Sequence, residues 1–219
     1  MSATTTALPA PTDRPSTLET YRDDGVLAQS LGRALGSAVG LPPVVLVLAG
    51  AVALLAAVAI GGDEAPRPAV AGVIAWLVVA AGVSSGRPHR DRLRWAVPPL
   101  LRLAEYAGLV WLAALAGPSA VPAAFALIAA LAFRHYDVVY RLRHRGVAPP
   151  TWLGVLAGGW DGRLVIGLVF LLTGALPAAF FVLAGLLGAL FVSESVLGWT
   201  RFGRAQATVV YDDEEAEDE

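Results

Sequence analysis

Long apolar runs, separated by short polar segments that carry most of the arginines, dominate the chain. A helix needs about twenty predominantly apolar residues to cross a bilayer, at a rise of about 1.5 Å per residue. Runs of that kind occupy residues 43–60, 69–83, 96–116, 121–140, 164–176 and 177–199. The fifth is short unless it begins near Trp160. Only Thr173-Gly174-Ala175-Leu176-Pro177 divides it from the sixth. About 35 mostly apolar residues are too many for one passage, and Gly174 with Pro177 supplies a tight turn. The pattern predicts an all-α, polytopic bundle of six membrane-spanning helices, with five as the alternative.

Arginine placement orients the bundle, because short cytoplasmic loops are enriched in basic residues. Arg87, Arg90, Arg92 and Arg94 follow the second run, Arg141, Arg143 and Arg145 the fourth, and Arg201 and Arg204 the sixth. The alternate loops hold Arg67 alone. Both termini are therefore expected in the cytoplasm. Trp95, Tyr140, Trp160 and Trp199 fall at the ends placed there, as the aromatic belt of a membrane protein would have them. Outside the spans, residues 1–17 are rich in Thr, Ala and Pro and read as a disordered leader, not a signal peptide. Residues 18–40 read as an amphipathic interfacial segment, in which Leu27, Leu31, Leu35 and Ala38 form an apolar stripe. Gly32, Gly36 and Gly40 offer an alternative close-packing face. The stretch 152–157 is too short to span and is expected along the interface until Gly158-Gly159 breaks it. The six-helix domain occupies 41–202, and 203–219 reads as a disordered acidic tail.

Composition agrees with this pattern. The 219 residues are 56% hydrophobic and 16% charged, with a mean hydropathy of +0.63, against roughly 25% charged in soluble domains. All sixteen basic residues are arginine, which together with the abundance of Ala, Gly, Pro and Val suggests a GC-rich bacterial genome and hence a multi-pass protein of a bacterial plasma membrane. The lipid bilayer is the expected partner, and no nucleic acid is. The absence of cysteine excludes disulfides, thiolate metal sites and cysteine catalysis. His89, His135 and His144 are too scattered for a histidine-rich metal site. No P-loop, nucleophile elbow, zincin motif or dinucleotide-binding glycine pattern is present.

Ionisable residues inside spans are costly and mark functional sites by default. Arg102 and Glu105 lie in the third span, about 9 and 13 Å from its cytoplasmic end. Arg134, His135 and Asp137 lie in the last turns of the fourth, Asp161 and Arg163 open the fifth, and Glu194 is roughly 8 Å inside the sixth. All of this charge falls in the cytoplasmic half. One reading is a water-accessible cavity, with Arg102, Arg134, Arg141 and Arg163 as phosphate ligands. Glu105, His135, Asp137 and Asp161 are then the candidate acid, base or catalytic groups, and Glu194 is a further intramembrane polar residue. The cofactor is open: Mg²⁺ enters only if the carboxylates serve a transferase. The plainer alternative is local neutralisation, Arg102 with Glu105 at i,i+3 and Asp137 with Arg141 at i,i+4, with Arg163 explained by topology or as a partner of Asp161.

Several strings together resemble a known family. They are Tyr21-Arg22-Asp23-Asp24-Gly25, Leu31-Gly32-Arg33, Leu41-Pro42-Pro43, Arg102-Leu103-Ala104-Glu105-Tyr106, the stretch from Phe133-Arg134-His135-Tyr136-Asp137 to Arg141-Leu142-Arg143, and Gly159-Trp160-Asp161-Gly162-Arg163-Leu164. This set resembles an actinobacterial integral membrane domain of unknown function, often found C-terminal to CDP-alcohol phosphatidyltransferase and nucleotidyltransferase domains. The resemblance implies a setting in phospholipid synthesis, with lipid-biosynthetic membrane enzymes as partners. The phosphatidyltransferase signature itself is missing: Asp161-Gly162 begins such a string, but Val165 and Ile166 stand where alanine and arginine belong. An accessory module that binds an anionic headgroup is the expected function. A divergent transferase acting on a CDP-activated or phosphorylated lipid, and a structural or assembly subunit, are the alternatives.

Overall fold

The computed structural model describes residues 17–87 and 92–217, with backbone alone for 17–19, 145 and 202–217. The leader at 1–16 lies outside the described residues. Nine α-helices and no strand are found among the described residues: α1 Thr17–Arg22, α2 Val26–Leu35, α3 Pro43–Gly61, α4 Arg67–Val83, α5 Val97–Ala116, α6 Val121–Arg145, α7 Thr151–Leu156, α8 Gly159–Thr173 and α9 Leu176–Glu217. Six helical segments are long and apolar enough to cross a membrane, so the six-span expectation holds and the five-span alternative does not.

Proline marks the starts of α3, α4, α5 and α6, where its missing N–H costs the helix nothing. Gly174, in the left-handed region at φ 76°, closes α8. Its amide and that of Ala175 bond back to Leu171 and Phe170, and α9 begins one residue later. The fifth segment long enough to cross runs Thr151–Thr173 and so takes in the 152–157 stretch expected along the interface. Within it α8 starts at Gly159, five residues before the apolar run suggests, because Gly158 and Gly159, both at positive φ, separate it from α7. The fourth extends past Tyr140 to Arg145. The acidic tail was expected to be disordered; the α9 backbone is continuous as far as Glu217.

Lipid tails are as apolar as leucine, so contact between spanning helices rests on close packing. Helix α6 lies along α9, α3 along α4 and α5, and α5 along α8. Glycines set the last of these. A side chain at Gly108 would meet Leu164, and one at Gly167 would meet Leu112 and Phe180. The helices carrying Arg102 and Arg163 are thereby held close together. Leu54, Ile74, Leu77, Leu101, Leu109, Leu112, Leu127 and Leu131 fill the centre. Val45, Leu48 and Val52 of α3, Phe125 of α6 and Leu186 of α9 face outward, toward lipid.

The segment expected at the interface, residues 18–40, packs on the bundle. Helix α2 docks onto α4, α8 and the turn at Ser84–Gly86. Its buried face is made of Gly25, Ala28, Gly32 and Gly36, while Leu27 and Leu35 of the expected apolar stripe are exposed. Of the three glycines proposed for close packing, Gly32 and Gly36 lie against neighbouring backbone, whereas a side chain at Gly40 would meet nothing.

Candidate functional site

The polar residues gather at the end of the bundle that α1 and α2 cover. Charge this deep is stable only when it is paired and hydrogen-bonded, and the pairings divide the candidates into separate groups.

The largest group is centred on Arg163 and Glu105, both essentially inaccessible. Arg163 donates Nε to Glu105 Oε1 at 2.6 Å, Nη2 to Asp23 Oδ2 at 2.8 Å and Nη1 to the Ala157 carbonyl at 3.0 Å. Arg102 donates Nη1 to Glu105 Oε2 at 2.6 Å and Nη2 to the carbonyls of Arg22 and Tyr21. Each Glu105 oxygen thus holds one guanidinium, and the two arginines join α5, α8 and the α1–α2 loop. The expected pairing of Arg102 with Glu105 is present; the pairing of Arg163 with Asp161 is not, because α8 turns Arg163 toward α5 and the loop.

Asp23 was not among the expected site residues. Among the described residues it is the one non-glycine at positive φ, 52°, a conformation Asp tolerates better than most. That turn aims its carboxylate inward, where it meets Arg163, sits 3.8 Å from Arg102 and lies 3.6 Å from His135 Nε2. Burial alone would raise this carboxyl. The positive charge of Arg163, the adjacent His135 and the charges of Arg102 and Arg134 outweigh it and hold Asp23 far below the ordinary carboxylate range. His135 Nδ1 bonds the Tyr106 hydroxyl at 2.7 Å.

Asp161 has a different task. Oδ1 accepts from the Gly25 amide at 2.6 Å and Oδ2 from the Ala28 amide at 3.0 Å, so the carboxylate caps the start of α2 from another helix. Its neighbour Trp160 was expected in the interfacial aromatic belt; it is instead fully buried, its indole N–H donating to Asp24 Oδ1 at 2.8 Å. Asp24 also holds Arg22, which reaches the Ala81 carbonyl. Trp95 and Trp199 remain exposed, as a belt requires.

A separate group lies between α6 and α9. Arg141 pairs with Asp137 at 2.8 Å and with Glu194 at 2.9 Å, and Ser195 donates to Asp137 at 3.0 Å. Among the described residues the nine expected ones fall into separate groups, not around one cavity. Glu105, Asp137 and Asp161, the carboxylates a transferase would use for Mg²⁺, sit in three different groups, each engaged with arginine or backbone N–H. Among the described residues no set of three acidic or histidine side chains is placed to hold a metal ion.

Arg134 stands apart. It is 7% exposed, yet among the described residues it has no carboxylate within ion-pair distance; its guanidinium lies over the Phe191 ring at 5.0 Å. It borders two cavities of about 370 Å³ each. The first lies between α1, α5 and α6, with Asp23, Arg102 and His135 at its polar side and Pro98, Val138 and the exposed Trp95, Pro99 and Val139 at its apolar side. The second lies under α2 and the 149–155 segment.

These features define a multi-pass helical membrane protein with a charged, helix-covered end. The chain belongs to the family of unknown function DUF5941, whose model matches residues 13–217. No curated protein and no solved structure matches it.

Proposed function

We propose that this protein is an accessory membrane module that binds the anionic phosphate headgroup of a lipid in the cytoplasmic half of a bacterial plasma membrane, in the service of lipid-synthesising enzymes. The observation that carries the reading is Arg134. A buried cation costs several kcal/mol in desolvation, of which a desolvated cation–π contact returns on the order of 2 kcal/mol. A phosphate in the first cavity would place a counter-charge in direct contact with Arg134, which Asp23 and Glu194 reach only at longer range, through charge-assisted hydrogen bonds. The cavity suits a lipid, since its rim of Trp95, Pro99 and Val139 is apolar and lies on membrane-spanning helices. The arginine-rich loops favour placing this end in the cytoplasm. An accessory role fits the carboxylates better than catalysis, because Glu105, Asp137 and Asp161 are each tied into the scaffold.

Native mass spectrometry of the purified protein, titrated with phosphatidic acid, phosphatidylglycerol and phosphatidylcholine, tests the reading. Anionic lipids should bind in preference to phosphatidylcholine, and Arg134→Gln should weaken them roughly tenfold, the effect of losing one charge-assisted bond. Equal binding of all three, or an unchanged affinity in Arg134→Gln, would overturn it.

A further inference from the structure

The two cavities share three wall residues, Thr20, Asp23 and Arg134, and otherwise differ in character. The first is apolar apart from the side facing Arg134. The second has Pro149, Pro150 and Val155 on one wall and hydrogen-bonding groups on the other, among them Gln29, Arg33, Ser85 and Thr151. Arg33 is exposed and its side chain is bonded to Ser30 at 3.2 Å. A ligand phosphate at Arg134 therefore faces an apolar compartment on one side and, on the other, one that offers more hydrogen-bonding groups. From this juxtaposition we infer that the ligand is a phosphodiester lipid whose phosphate carries a hydroxylated substituent. The acyl portion enters past Trp95 and Val139, the phosphate meets Arg134, and the substituent occupies the second cavity beside Gln29 and Arg33. The inference rests on the lipid-binding reading above and adds the headgroup class to it.

The chemistry of the second cavity supports a hydroxylated group over a cationic one. The acids on its wall, Asp23 and Asp24, are already matched to Arg163 and Arg22, whereas Arg33 has no carboxylate partner among the described residues. A quaternary ammonium there would meet an uncompensated cation. Hydroxyls can accept from Arg33 and Gln29 and donate to the Thr151 and Ser85 oxygens.

The test compares phosphatidylglycerol with phosphatidic acid, which has the phosphate but no substituent, in wild type, Gln29→Ala/Arg33→Ala and Arg134→Gln. Both α2 substitutions fall on exposed positions; they remove the Gln29 Nε2 bond to the Asp24 carbonyl and the Arg33 bond to Ser30, and keep the Asp161 cap and the Gly32 packing that dock α2. The double variant should weaken phosphatidylglycerol about tenfold, on the order of one lost hydrogen bond to a charged group, and leave phosphatidic acid unchanged. Arg134→Gln should weaken both. Soluble glycerophosphoglycerol should fail to displace the lipid at equal concentration. If the double variant affects both lipids alike or neither, the second cavity does not hold the substituent and the inference falls while lipid binding stands. If glycerophosphoglycerol competes on equal terms, the ligand is a free phosphodiester and the inference falls. If Arg134→Gln changes neither lipid, the lipid-binding reading itself falls.

Discussion

At the scale of single residues, the polar end is held by carboxylates that each satisfy more than one partner, which makes them unequal in importance. Glu105 is fully buried between two guanidinium groups at 2.6 Å, and removing one member of such a set leaves an uncompensated buried charge, at a cost of about 3–5 kcal/mol. Glu105→Gln should therefore lower the thermal unfolding midpoint of the detergent-solubilised protein far more than Asp137→Asn, whose carboxylate is 13% exposed. Equal effects would show that the Arg102–Glu105–Arg163 set does not carry this share of stability. Asp23 adds a pH dependence of defined sign. Its carboxyl is held below the usual 3.8 in the folded protein, so the unfolded chain takes up its proton first as pH falls. The contribution is fully present at neutral pH, begins to decline only below about pH 4, and is lost as pH falls through the folded value. The unfolding midpoint measured from pH 7 downward should show this decline in wild type and a smaller one in Asp23→Asn. A loss of the Asp23 contribution between pH 7 and 5 contradicts the assignment.

At the scale of elements, the unexpected participant is the short α1–α2 segment, which closes the bundle instead of lying beside it. Two features fasten it: the Asp161 carboxylate on the Gly25 and Ala28 amides, and the small face of α2 against the Ser84–Gly86 turn. Removing a cap costs about 1 kcal/mol, more here because the two N–H groups are buried. Asp161→Ala should speed hydrogen exchange at Gly25 and Ala28 while exchange in the centre of α5 stays slow. A methyl group at Gly32 would overlap Ser85 Oγ and the Gly86 amide, whereas one at Gly40 would touch nothing. Gly32→Ala should thus expose the 20–36 stretch to limited proteolysis and Gly40→Ala should not. Comparable cleavage of both would mean that close packing at Gly32 is not what docks α2.

At the scale of the whole molecule, what could be read from the sequence follows the range of the interactions involved. The six spans are local: each is an apolar run bounded by Pro, Gly or Arg, and each forms a helix within a few residues of the run. The ion pairs Arg102–Glu105 and Asp137–Arg141 are also local, one helical turn apart. Asp23, Trp160 and Arg163 were misjudged because their partners are distant in sequence; Asp23 and Arg163 are 140 residues apart. The signal in the sequence was the charged run Arg22-Asp23-Asp24 just ahead of α2, whose two acids stand outside the spans yet within reach of their arginines. The expected orientation in the membrane rests on the arginine loops alone, and the proposed headgroup site depends on it. The absence of cysteine makes that orientation directly measurable. A single cysteine at Ser119, in the turn before α6, lies at the end opposite α2; one at Thr151, at the start of α7, lies at the polar end. In intact cells a membrane-impermeant maleimide should label Ser119→Cys and spare Thr151→Cys until the membrane is permeabilised. The reverse pattern would place the Arg134 cavity in the outer leaflet, where enzymes drawing on cytoplasmic nucleotide-activated precursors have no access to it, and the proposed function would fail with it.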